Sequence, residues 1–125
     1  MQHRIVSIEG NIGAGKTTLA SLIAKVTGRT LILEQFEQNP FLERFYAQPE
    51  QFAFHTELFF LAERYEQWRQ MPSDLIIADY SLAKSLYFAE VTLKGAELDV
   101  FNRVYHGLTE LVPKPDLTIY LYRST

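Results

Sequence analysis

Residues 10–18 read GNIGAGKTT and contain a complete G-x-x-x-x-G-K-[ST] phosphate-binding pattern. Ahead of it, Arg4 to Ile8 is an apolar, β-branched run of strand length. Behind it, Leu19 to Val26 (LASLIAKV) has the period of an amphipathic helix, with Gly28 placed as its C-cap. Strand, glycine loop and helix in that order are the context that gives the pattern its chemical meaning. The glycines let the backbone curl so that successive N–H groups point inward at phosphate oxygens. In this reading Gly10, Asn11, Ile12, Gly13, Ala14, Gly15, Lys16, Thr17 and Thr18 hold ATP or a similar triphosphate. Lys16 reaches the β- and γ-phosphates, and the Thr17 hydroxyl ligates Mg²⁺. The alternative is a structural glycine turn before a helix, and the coincidence of pattern with context argues against it.

Outward from this loop, strands and helices alternate. Thr30 to Leu33 predicts a short strand that ends at Glu34. Asn39-Pro40 opens a helical turn over Phe41 to Tyr46, with asparagine as N-cap and proline first in the helix. Pro49 starts a long helix to about Gln70, in which Phe54, Leu58, Leu61, Tyr65 and Trp68 form one apolar stripe. A third strand, Asp74 to Ala78, ends at Asp79-Tyr80-Ser81. Helices over Leu82 to Leu93 and Ala96 to Leu111 follow, then a fourth strand over Leu117 to Tyr122. The order predicts an α/β fold of the P-loop type, three αβα layers around a parallel sheet, as one domain over residues 1–125. A parallel strand needs cover on both faces, and no helix follows the last one, so a C-terminally truncated part of a longer protein is expected.

The chain has 125 residues, 47% hydrophobic and 22% charged, with a formal net charge of −3 and no basic cluster. That balance argues against a nucleic-acid polymer as partner and leaves mononucleotides open. No apolar run is long enough to span a bilayer, so no membrane partner is expected. The start of the chain runs directly into the first strand, without the pattern of a signal peptide. There is no cysteine, which excludes disulfides and zinc-thiolate sites and fits a cytoplasmic protein.

In parallel sheets ligands lie beyond the carboxyl ends of the strands, which selects the loop, Glu34 and Asp79. Glu34 is placed to accept a proton from a hydroxyl that attacks the γ-phosphate, or is a solvated strand-end carboxylate. Asp79 ends an apolar strand, where P-loop enzymes keep the acid that serves Mg²⁺; it is also a good N-cap, as is Ser81. Glu57 and Arg64 sit two helical turns apart, roughly 10 Å along one face, beside the apolar stripe. They could bracket a planar ligand, with Phe52 or Phe60 to stack, or be surface charges. The histidines show no metal-ligand spacing.

Taken together, these residues resemble the deoxynucleoside kinases, P-loop enzymes that transfer the ATP γ-phosphate to the 5′-hydroxyl of a deoxynucleoside. The likeness covers nearly the whole chain: IEGNIGAGKTT at 8–18, LEQFEQNPFLERFY at 33–46, PEQFAFHTELFFLAERY at 49–65, DYS at 79–81 and PDLTIYL at 115–121. It implies ATP and Mg²⁺ as cofactors, Lys16 and Glu34 as catalytic residues, and Thr17 and Asp79 on the metal. Glu34 matches the base in the family's Glu-Pro-Val segment, and Tyr46 a tyrosine at the sugar 3′-hydroxyl. Glu57 stands for a glutamine that pairs with the base edge, and Arg64 matches a base-pocket arginine. Phe52 and Phe88 would line that pocket. A homodimer is also implied.

The departures bear on substrate choice. Gln35 replaces a proline, Tyr80 replaces the arginine of Glu-Arg-Ser, and Ser85 replaces an aspartate that works with the pocket arginine. An ionised Glu57 is an acceptor only, which favours a base edge rich in N–H donors, such as guanine, or the adenine amino group if the acid is protonated. The departures resemble a bacterial branch of the family that acts on purine deoxynucleosides, which makes such a purine the implied substrate. Two other functions fit the same loop: a nucleoside monophosphate kinase of the thymidylate kinase type, and a non-catalytic nucleotide-binding subunit completed by a partner.

Overall fold

Ile5-Val6-Ser7-Ile8 is a run with no charged residue, and such a run is stable only when covered on both faces. In the structure, a computed structural model that describes residues 3–10, 14–34, 39–72 and 74–122, all four of these residues are buried. They begin β1, Ile5–Gly10, an inner strand of a four-stranded sheet. The other strands are β2 (Thr30–Ile32), β3 (Ile76–Ala78) and β4 (Leu117–Leu121). Their order is β2-β3-β1-β4, and every pairing is parallel. The expected α/β class with a parallel sheet is the one observed.

The pleat sorts side chains by parity. Val6 pairs with Ile77 and Leu117, Ile8 with Ile119, and Gly10 with Leu121. Val6, Ile8 and Ile77 pack against Leu19, Ala20, Ile23 and Ala24 of α1, which spans Lys16–Thr27. Burying an isoleucine this way contributes about 2 kcal/mol, so the layer holds α1 against β1. Gly28 closes α1 in the left-handed conformation, as its position predicted, and its N–H bonds the Ala24 carbonyl. The helix starts at Lys16 and not at Leu19, because Lys-Thr-Thr are both the end of the motif and the first helical turn.

The chain divides into two compact units. The first holds the sheet and α1. The second holds α2 (Leu42–Ala47), α3 (Pro49–Arg69), α4 (Ala83–Thr92) and α5 (Gly95–Thr109). Asn39 does not cap α2 directly. Its side-chain oxygen accepts the Phe41 N–H at 2.9 Å, an Asx turn that delivers the chain to a helix starting at Leu42. Pro49 is in the first turn of α3, where its missing N–H costs nothing.

α2, α4 and α5 all pack on α3. The buried residues of α3 are Ala53, Thr56, Glu57, Leu61, Arg64 and Trp68. The expected stripe is therefore corrected: Phe54, Leu58 and Tyr65 are only partly buried, and two charged residues take the seam. A helix with neighbours on several sides has no single apolar face for a period to report. No helix among the described residues is long and apolar enough to cross a membrane.

Candidate phosphate site and polar helix cluster

The phosphate site begins with a close approach of two backbones. A Cβ on Gly10 would lie 2.1 Å from the Leu121 carbonyl oxygen, so only glycine lets β1 end beside β4. The Lys16 ammonium donates to the Gly10 carbonyl at 2.8 Å, closing the loop on itself. Gly15 has φ +92°, a left-handed conformation that turns the chain into α1. The Leu19 N–H bonds the Gly15 carbonyl at 3.0 Å. The amides of Lys16, Thr17 and Thr18 precede that bond and have no intrahelical acceptor. No acidic residue stands in the first turn and no side chain caps it, so these donors and the positive helix end suit an anion. Ala14 leads into this turn; Asn11, Ile12 and Gly13 lie outside the described residues.

Asp79 joins the expected groups at the ends of the strands. Its Oδ2 accepts the Thr17 hydroxyl at 2.8 Å, and its Oδ1 accepts the Glu34 backbone N–H at 2.9 Å. One carboxylate just beyond β3 thus connects the first turn of α1 to Glu34, two residues beyond β2. Thr17 Oγ1 and Asp79 Oδ2 are hard oxygen donors, and a pair of these completed by phosphate and water is the donor set Mg²⁺ takes. Asp79 is not a helix cap, since α4 begins after Leu82 with no side-chain cap bond. Ser81 is not a cap either: its hydroxyl donates a short hydrogen bond to Glu9.

Glu9 is a site-side residue that the sequence reading left without a role. It is buried, on the face of β1 away from α1. Its signal was available, because a carboxylate in a buried inner strand is costly unless a donor meets it. Here Ser81 meets it. Gln35 lies outside the described residues.

In the second unit, Glu57 and Arg64 are each only 6% exposed, so neither is a surface charge. The Arg64 Nη1 donates to Ser85 Oγ at 2.8 Å, and its guanidinium lies 5.2 Å from the centre of the Phe60 ring. Thr92 Oγ1 donates to Glu57 Oε2 at 3.0 Å. Burial pushes the Glu57 carboxyl above its ordinary value; the Thr92 hydrogen bond and the Arg64 charge pull the other way and are the smaller effects. The structure therefore gathers Glu57, Arg64, Ser85, Thr92 and Phe60 on the facing sides of α3 and α4. The remaining pocket candidates have other neighbours. Tyr46 is 72% exposed, with its ring against Phe45. Phe52 meets Arg44 and His55. Phe88 is 37% exposed, with Lys84 6.0 Å from its ring centre.

The whole chain is similar to known proteins. A model of the deoxynucleoside kinase family matches residues 6–125. The chain is 40% identical to a deoxyguanosine kinase of Bacillus subtilis over 125 residues, 95% of this chain and 60% of that protein. It is 28% identical to a deoxyadenosine/deoxycytidine kinase of the same organism, over 96% of this chain and 60% of the other. The fold of a deoxyadenosine kinase from M. mycoides superposes with a TM-score of 0.79 and 26% identity, covering 96% of this chain and 64% of that one. The chain thus spans about three-fifths of the length of these relatives. It belongs to the deoxynucleoside kinase family.

Proposed function

We propose that the protein transfers the ATP γ-phosphate to the 5′-hydroxyl of a purine deoxynucleoside, with guanine the favoured base. The observation that carries the transfer is the double hold of Asp79 on the Thr17 hydroxyl and the Glu34 backbone. It supports a site in which the phosphate-binding group and the base share one anchor. The amides from Gly15 to Thr18 and the Lys16 ammonium bind the donor phosphates and stabilise charge on them as it grows. The Lys16 bond to Gly10 keeps that ammonium over the loop. Thr17 and Asp79 would hold Mg²⁺, which supplies positive charge to the phosphate oxygens when bound. The Glu34 carboxylate accepts the 5′-hydroxyl proton as the new O–P bond forms and the bond to the leaving diphosphate breaks.

Guanine is favoured because Glu57 is a buried acceptor. The N1–H and N2–H₂ of guanine are the donors that an acceptor selects, while Arg64 supplies N–H groups to a base acceptor. Arg64 also needs no second carboxylate at position 85, where Ser85 accepts its hydrogen bond. Tyr46, Phe52 and Phe88 remain the proposed sugar and pocket contacts. The relatives support this reading, since one is named a deoxyguanosine kinase and a neighbouring structure is of a deoxyadenosine kinase with bound dATP. Cytoplasmic placement and a homodimer belong to the same proposal.

The test is ADP release with ATP and Mg²⁺ on a panel of four deoxynucleosides and their monophosphates, using the intact protein. The expected result is turnover with deoxyguanosine above the others and none with monophosphates. Turnover on monophosphates alone would mean a thymidylate-type enzyme. Nucleotide binding without turnover would mean a non-catalytic subunit.

A further inference from the structure

This inference rests on the proposed base-binding role of Glu57 and adds a residue to it. Thr92 Oγ1 stands 3.0 Å from Glu57 Oε2 and also 3.0 Å from the Phe88 carbonyl oxygen. A hydroxyl has one proton and two lone pairs, so it cannot donate to both at once. When Glu57 is ionised, Thr92 donates to Oε2. When Glu57 is neutral, both contacts survive only if the proton sits on Oε2. Oε2–H then donates to Thr92, and Thr92 donates to Phe88. In either state the acidic proton is kept away from Oε1. Among the described residues, no protein group donates to Oε1. The neutral state matters here because burial favours it.

We propose that Thr92 is a positioning residue that makes Glu57 Oε1 a hydrogen-bond acceptor in both protonation states, and so selects guanine over adenine. Guanine offers N1–H and N2–H₂ to an acceptor. Adenine can give an N6–H to Oε1, but its N1 needs a donor in return, which a carboxyl provides only if a proton is free to sit on the ligand side. Without Thr92 that proton is free, and the pocket can satisfy adenine.

The experiment measures kcat/KM for deoxyguanosine and deoxyadenosine in the intact protein, with Thr92→Val, Thr92→Ser and Glu57→Gln. Thr92→Val keeps the shape and loses the hydroxyl; the ratio of deoxyguanosine to deoxyadenosine should fall about tenfold, the worth of one hydrogen bond. Most of the change should appear in KM for deoxyadenosine. Thr92→Ser should restore the ratio. In a Glu57→Ala background, where no carboxyl is left to orient, Thr92→Val should no longer move it, which a purely structural role would not produce. If Thr92→Val fails to fold, Thr92→Ala must show the same fall. An unchanged ratio in the folded hydroxyl-less variant, with Glu57→Gln altering it, overturns the role of Thr92 alone. An unchanged ratio in Glu57→Gln overturns the base-pocket reading beneath it.

Discussion

The two units present their candidate groups differently. In the first, a contiguous stretch of chain carries nearly all of the candidates, and many of them are backbone: the turn at Gly15, the amides of the first turn of α1, and the carbonyl of Gly10. In the second, the candidates are single side chains from two helices, and each is buried: Glu57 and Arg64 from α3, Ser85 from α4. Backbone recognition tolerates most side-chain change but no change of conformation. Side-chain recognition can be rewritten one residue at a time. The first unit is therefore expected to fix the reaction, and the second to fix the substrate.

The largest effect that would break this contrast is in the first unit. Glu34→Gln should lower turnover by about 10²- to 10⁴-fold, the usual worth of a general base, while ATP binding measured by calorimetry persists. Full activity would remove Glu34 from the chemistry and leave the first unit with binding alone. Next comes Gly10→Ala, whose Cβ would meet backbone and not a movable side chain. It should cost about 3 kcal/mol in chemical denaturation and weaken nucleotide binding. A variant as stable as the parent would mean that β1 and β4 can separate without harm.

The smallest effect sharpens the second unit. Burial raises the Glu57 carboxyl, so the folded state holds that proton more tightly than the unfolded chain does. Its contribution to stability is fully present below the unfolded value of 4.5 and is lost as pH rises through the raised folded value. Glu57→Gln removes this loss. The variant should be more stable than the parent at neutral pH, with the difference shrinking as pH approaches 4.5. Melting curves across that range measure it, and a variant that is less stable at neutral pH would show that the Glu57 charge is compensated within the cluster.

The legibility of the two units follows the same division. The strand before the glycine motif, the helix after it and the placement of Glu34 and Asp79 just beyond strands could be read from residue order, because covalent neighbours set them. The α1 start was missed by one turn, since a motif period and a helix period overlap at Lys16. Ser81 looked like a cap and is a donor to Glu9, a contact across 72 positions that local propensity cannot contain. On α3 the apolar period pointed to Phe54, Leu58 and Tyr65, while the packed seam holds Glu57 and Arg64. Family likeness had marked those two residues; periodicity had set them beside the seam.

By itself the sequence determined the strand and helix on either side of the glycine motif, the parallel α/β class and the family. These depend on short-range backbone conformation and on apolar runs, which a chain carries wherever it folds. Only the tertiary structure decided that Asp79 grips both Thr17 and the Glu34 backbone, that Ser81 serves Glu9, and that Thr92 stands over Glu57. Those are hydrogen bonds between residues 35 to 72 positions apart, made because packing removes water from both partners and leaves each polar group to find the other.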